Sequence, residues 1–202
     1  LLALDADQND ALQEVVNIGM GRAGDSLARI FDVFVRLSIP RVRLICASHA
    51  VEHIAEFVDV RQPVTAVRQA FFGDIRGESL LFYAQQGCNE LADLMGYDHA
   101  LDATEERELL LDVSNVLAGA CLCGIADQLR FDLHFTRPSL MSQGASVAAL
   151  MEPRKLLWSH ALIFEVNFRL EDRGFVCHLL AFLPETSIEC LCQAVVRLME
   201  AL

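Results

Sequence analysis

Apolar residues recur at helical spacing over residues 8–31. Leu12, Val15, Val16, Gly19, Ala23, Leu27 and Ile30 fall on one face, with Asn9 ahead of them as a candidate N-cap. Gly19, Gly21 and Gly24 lie inside this helix, where each costs ~1 kcal/mol relative to Ala. Glycines kept at that cost predict close backbone approach, here to a second long helix. The pattern then switches to alternation over 36–46, interrupted near Pro40, which reads as a broken strand. Residues 64–75 and 78–84 read as two more strands around a turn between Gly73 and Gly77. Residues 89–95 read as a short helix stopped by Gly96.

The second half repeats this plan. Residues 104–130 form a long helical pattern; Thr104 has Arg107 where a capping box wants an acid, although Glu105 and Glu106 suit the dipole of a first turn. A strand lies within 133–143. Residues 156–170 and 175–183 predict a hairpin, and Thr186 with Glu189 a capping box opening a last helix over 188–202. The order is helix, strand, strands, helix, twice. It predicts an α+β fold in which pseudo-twofold half-domains, 1–100 and 101–202, share one core. A central, mostly antiparallel sheet would carry the two long helices side by side in a single domain over 1–202.

The repeat extends to polar residues. Asp10, Glu14 and Asn17 return 98 residues later as Glu108, Asp112 and Asn115, and Pro40 follows Asn17 at the same gap, 23 positions, as Pro138 follows Asn115. Residues at i, i+4 and i+7 share one helical face. Two carboxylates four apart repel by ~0.2–0.5 kcal/mol, so a purely structural helix gains nothing by pairing them twice beside an amide. An amide has no useful pKa and cannot act as a general base. It can hold a water in line with a phosphorus atom, while a neighbouring carboxylate pairs with a cation on a partner. With no nucleophile and base in register and no glycine-rich phosphate loop, the stripe is suited to completing another protein's active site.

Composition narrows the choice. The chain has 202 residues, 53% hydrophobic, enough for a real core, and a net charge of −12 that disfavours nucleic acid. No apolar run reads as a membrane span and no signal peptide opens the chain, which with seven scattered cysteines points to reduced thiols and a cytoplasmic protein. Cys121 with Cys123 and Cys190 with Cys192 lack zinc spacing and read as core thiols; the six histidines form no ligand motif. Trp158 reads as core. Arg36, Arg41 and Arg43 read as the wet side of a strand, with contact to an acidic partner as the alternative.

An Asp or Ser, a Glu four residues on, an Asn three further and a Pro after a fixed gap resembles the pattern of the CheC/CheX/FliY family of chemotaxis phosphatases. Glu14-Val-Val-Asn17-Ile-Gly-Met-Gly21 is similar to that family's first helix and Asn115-Val-Leu-Ala-Gly119 to its second. Phe72-Gly73, Gly77, Leu81-Phe82 and Leu94-Met95-Gly96 also fit, so the likeness covers nearly the whole chain. With both motifs present and no domain after Leu202, the chain resembles the CheC branch most and a flagellar switch component less. The resemblance implies hydrolysis of the aspartyl phosphate of the response regulator CheY. Asn17 and Asn115 would orient the attacking water, Glu14 and Asp112 would serve beside them, and Asp10 and Glu108 would contact the regulator. Glu14 would meet the regulator's active-site lysine. The Mg²⁺ would be the regulator's, with no cofactor of the chain's own.

The second motif departs from the family pattern, its two acids exchanged. Asp112 is shorter than the expected Glu by one methylene, ~1.5 Å of reach. A misplacement of about 1 Å can cost on the order of a hundredfold in rate. Asn17 with Glu14 is therefore the intact site, and Asn115 with Asp112 the weakened one unless Glu108 compensates. The alternative function is a binding module for the receptor deamidase CheD with little catalysis. Oligomeric state is not legible.

Overall fold

A computed structural model describes residues 5–32, 35–56, 58–84, 91–93, 95–152, 160–170 and 176–200, without the side chains of Ala84, Ala161 and Leu170. Helix α1 spans Ala6–Phe31, followed by strands β1 (Val35–Leu37) and β2 (Arg41–Cys46). The short helix α2 (Ala50–Ile54) leads into β3 (Pro63–Gly73) and β4 (Gly77–Ala84). The second half has helix α3 (Ala103–Leu129), β5 (Leu133–Phe135), β6 (Ser139–Ser146) and the single turn α4 (Val147–Leu150). It closes with β7 (His160–Leu170), β8 (Val176–Pro184) and α5 (Glu185–Met199).

The eight strands form one sheet in the order β1-β7-β8-β4-β3-β5, with β2 also on β7 and β6 also on β3. Every described pairing is antiparallel. A pseudo-twofold between β8 and β4 relates the halves. The registers show it: Phe71 pairs with Phe135 as Phe168 pairs with Leu37. The predicted α+β fold is therefore the one observed, and the strand broken at Pro40 is β1 followed by β2.

Alternation in the central strands buries both faces of the sheet. Val67, Phe71, Leu81, Tyr83, Phe164, Val166, Phe168 and Leu179 pack with the long helices. Ala66, Leu80, Phe82, Ile163, Leu180 and Phe182 pack with α2, Val147, Leu150 and Met151 on the opposite face. Helices α1 and α3 lie against each other. A Cβ on Gly19 would stand 2.7 Å from the Ile125 nitrogen and 2.8 Å from the Gly124 carbonyl carbon, so the predicted close approach is real at Gly19. It is absent at Gly21, which faces open space, and Gly24 meets only the Leu37 side chain at 3.5 Å. Ile30 is 56% exposed, while Met20 and Phe31 are buried in the core.

The helix starts differ from the sequence expectation. Asp5, not Asn9, caps α1: its carboxylate accepts from the Gln8 nitrogen at 2.8 Å and the Gln8 side chain accepts from the Asp5 nitrogen at 3.2 Å. Asp102, not Thr104, caps α3, accepting from the Thr104 and Glu105 nitrogens at 2.7 and 2.9 Å, while Glu105 accepts from the Asp102 nitrogen at 3.0 Å. The backbone donors of Glu105 and then Thr104 hold the Asp102 carboxyl below its usual range. Each helix thus starts with a capping box set in a polar stretch, ahead of the apolar periodicity from which the starts were read.

At α5 the expected Thr186–Glu189 box does not form. The helix begins at Glu185 after Pro184 with no side-chain cap, and the Ser187 hydroxyl instead accepts from the Arg76 nitrogen at 3.0 Å and donates to the Arg76 carbonyl at 2.8 Å. Helix α3 differs from the expectation that no apolar run reaches the length of a membrane span. By length and composition it is apolar enough to cross a bilayer, with mean hydropathy 1.9 over an 18-residue window, yet 61% of that window is buried inside the fold. The hairpin turn between β7 and β8, Trp158, and all but 91–93 and Met95 of the predicted 89–95 helix lie outside the described residues.

Candidate functional site

The stripe residues Asp10, Glu14, Asn17, Glu108, Asp112 and Asn115 are all exposed. Their apolar neighbours Leu12, Val15, Val16, Leu109, Leu110 and Val113 are buried. Packing therefore orients the stripe outward, as amphipathic spacing requires.

Each asparagine opens into its own cleft, bounded by its helix and by the loop that carries the distant proline. The first, about 390 Å³, is lined by Asn17, Met20, Gly21 and Gly24 of α1 and by Leu37, Ser38, Ile39 and Pro40. The second, about 440 Å³, is lined by Leu111, Asp112 and Asn115 of α3 and by Phe135, Thr136, Arg137 and Pro138. The two clefts share no lining residue. The repeated gap from Asn to Pro seen in the sequence is thus the distance from a helix face, through a short strand, to the opposing wall.

The loops are pinned to the sheet. The Ser38 nitrogen donates to the Asn167 carbonyl at 2.9 Å and the Asn167 nitrogen donates to the Ser38 hydroxyl at 3.0 Å. In the second half, the Thr136 nitrogen donates to the Ala70 carbonyl at 2.9 Å and the Ala70 nitrogen to the Thr136 hydroxyl at 3.2 Å. Beneath Asn115, the buried Ser114 donates to the Leu110 carbonyl at 2.6 Å and shares a 2.7 Å hydrogen bond with the Tyr83 hydroxyl, fixing this turn of α3 to β4.

Two glutamines, absent from the sequence expectation, complete the sites. Gln13 Nε2 donates to Asn17 Oδ1 at 3.3 Å and to the Pro40 carbonyl at 2.8 Å. Gln69 Nε2 donates to Asn115 Oδ1 at 2.7 Å and to the Thr136 carbonyl at 2.9 Å. Gln13 precedes Asn17 by one turn on α1. Gln69 sits on β3, 1% exposed, on the face it shares with Val67 and Phe71. A signal existed: one amide stands among apolar residues at an inward position of that strand. Its Oε1 is buried without a hydrogen-bond partner, an arrangement that costs about 1–3 kcal/mol.

The rims differ. Ile18 and Ile39 stand 43% and 80% exposed beside the first asparagine, whereas the position matching Ile39 in the second loop is Arg137, also exposed. Gly21 and Gly119, each four residues beyond its asparagine, have nothing within 4 Å of where a Cβ would sit. Of the arginines read as a wet strand face, Arg43 bonds Glu56 at 2.5 Å and Arg41 lies 3.9 Å from Glu165. Burial pushes the Cys121 thiol well above its ordinary range, in keeping with a core thiol.

No family model matches the chain. The CheY-P phosphatase CheC of Bacillus subtilis (strain 168) is 25% identical to it over 174 residues, 80% of this chain and 79% of that protein. Among solved structures, Thermotoga maritima FliY superposes with a TM-score of 0.68 at 14% identity, over 97% of this chain and 99% of that one. The chain is thus similar in sequence to CheC and shares the fold of FliY. Within that fold, CheX in the CheX–CheY–BeF3–Mg complex from Borrelia burgdorferi superposes with a TM-score of 0.52 at 14% identity, over 83% of this chain and 96% of that one. The FliM middle domain of H. pylori shares the fold too, with a TM-score of 0.59 at 9% identity over 95% of this chain and 99% of that one.

Proposed function

We propose that this chain hydrolyses the aspartyl phosphate of CheY, acting in the cytoplasm. The observation that carries the reading is the pair of exposed asparagines, each with an acid three residues before it and each facing its own cleft under a proline loop. An amide held in this way positions a water and moves no proton itself.

On docking, Asn17 or Asn115 reaches the phosphoryl group and holds water opposite the aspartyl oxygen. The water oxygen forms a bond to phosphorus, the P–O bond to the aspartate breaks, the regulator's carboxylate leaves, and inorganic phosphate is released. Glu14 and Asp112 pair with a cation of the regulator, and Asp10 and Glu108 extend the contact one turn earlier. The Mg²⁺ that offsets phosphate charge is the regulator's. Orientation of this kind accounts for a large rate gain without covalent chemistry by the chain.

The test is loss of phosphate from CheY at sub-stoichiometric amounts of the chain. Repeated turnover is expected, and Asn17→Ala with Asn115→Ala in one protein should return the rate to that of CheY alone with the melting curve unchanged. Stoichiometric binding without acceleration would overturn the reading.

A further inference from the structure

We propose that Gln13 and Gln69 are positioning residues that hold the two asparagines ready for water, one glutamine for each site. This inference rests on the phosphatase reading above. In both halves a glutamine NH2 group spends its two hydrogens the same way, one on the asparagine Oδ1 and one on a backbone carbonyl of the proline loop. The two glutamines do not occupy matching positions. When Asn17 is aligned with Asn115, the counterpart of Gln13 is Leu111. When the β1–β7 and β5–β3 registers are aligned, the counterpart of Gln69 is Val166, two residues before Phe168 as Gln69 is two before Phe71. Each half has an apolar residue where the other has its glutamine, so the clamp was not simply copied with the rest of the repeat.

A clamp made twice from different walls answers a need of the asparagine itself. An exposed amide on a helix is free to turn about its χ angles. Holding Oδ1 from one side and the loop from the other fixes the rotamer, sets the width of the cleft and leaves Nδ2 directed away from the clamp. Oδ1 keeps a second lone pair, so the amide still both accepts from and donates to a water. Gln69 also carries an orphaned buried oxygen, a burden that a helix–sheet contact alone would relieve by placing a valine there, as position 166 does.

The experiment isolates one site at a time by replacing the other asparagine with Ala, then removes the glutamine. In the Asn115→Ala protein, Gln13→Leu and the isosteric Gln13→Glu, which lacks the NH2 donors, should each lower kcat for phosphorylated CheY by about tenfold or more, with KM within about twofold. In the Asn17→Ala protein, the volume-conserving Gln69→Met should do the same. The losses should be coupled: once Asn17 is already Ala, Gln13→Leu should lower the rate no further, and likewise for Gln69→Met without Asn115. Retention of kcat in the single-site proteins, or equal losses with and without the matching asparagine, would overturn the inference and leave the glutamines as loop ties. Full activity in the protein lacking both asparagines would instead strike the phosphatase reading itself, a result distinct from either.

Discussion

The two clefts are built from one repeat and differ in almost everything but their chemistry. Both present an asparagine, an acid three residues before it, an open glycine four residues after it and a proline on the far wall. The first has the exposed Ile39 on its rim and takes its clamp from its own helix; the second has Arg137 on its rim and takes its clamp from the sheet. What survives in both halves is the exposed polar stripe with its proline wall. What differs is how the asparagine is held and what surrounds it, which means that the two sites answer to different substitutions.

The largest expected effect moves both sites together. Gly19→Ala places a Cβ 2.7 Å from the Ile125 nitrogen, so α1 and α3 must part, at a cost of about 1–3 kcal/mol. Thermal or denaturant melting reads this, and both single-site activities should fall in parallel; a fall in one alone would break the view that the helices form one platform. Next is Asp112→Glu, measured with Asn17 already replaced by Ala. Restoring the longer acid should raise kcat of the second site, by on the order of tenfold if reach limits it. An unchanged or lower rate would show that Glu108 or the clamp already compensates.

Gly21→Ala and Gly119→Ala are smaller and carry opposite signs in two measurements. With open space at both positions, alanine should raise stability by up to about 1 kcal/mol in the melting curve. Each should lower kcat/KM at its own site if the bare helix surface admits the regulator. Smallest is Arg137→Gln, which should reduce the salt dependence of association at the second cleft by a fewfold change in kcat/KM, while Ile39→Gln weakens the first cleft without changing its salt dependence.

The order of elements, the antiparallel sheet and the outward stripe were legible because periodicity and a duplicated register report directly on burial. Helix starts were not: Asp5 and Asp102 cap polar first turns, and a reading anchored on apolar residues begins too late. Gly21 illustrates a second limit, since sequence treats it as it treats Gly19, and only the neighbouring helix tells an enforced approach from open space. The clamps were illegible for a different reason. Gln13 shares a helix with Asn17, but its second bond goes to Pro40, and Gln69 is 46 residues from Asn115. Those meetings depend on strand register, and a search for matching positions in the two halves passes over them because the glutamines do not match.

The most direct measurement is the dephosphorylation rate of CheY with four proteins side by side: the unaltered chain, Asn17→Ala, Asn115→Ala, and both together. Two independent amide sites predict that each single variant keeps the activity of the other cleft, that the two single-variant rates sum to that of the unaltered chain, and that the double variant adds nothing to the rate of CheY alone. A double variant as active as the unaltered chain, still folded by its melting curve, would contradict the account.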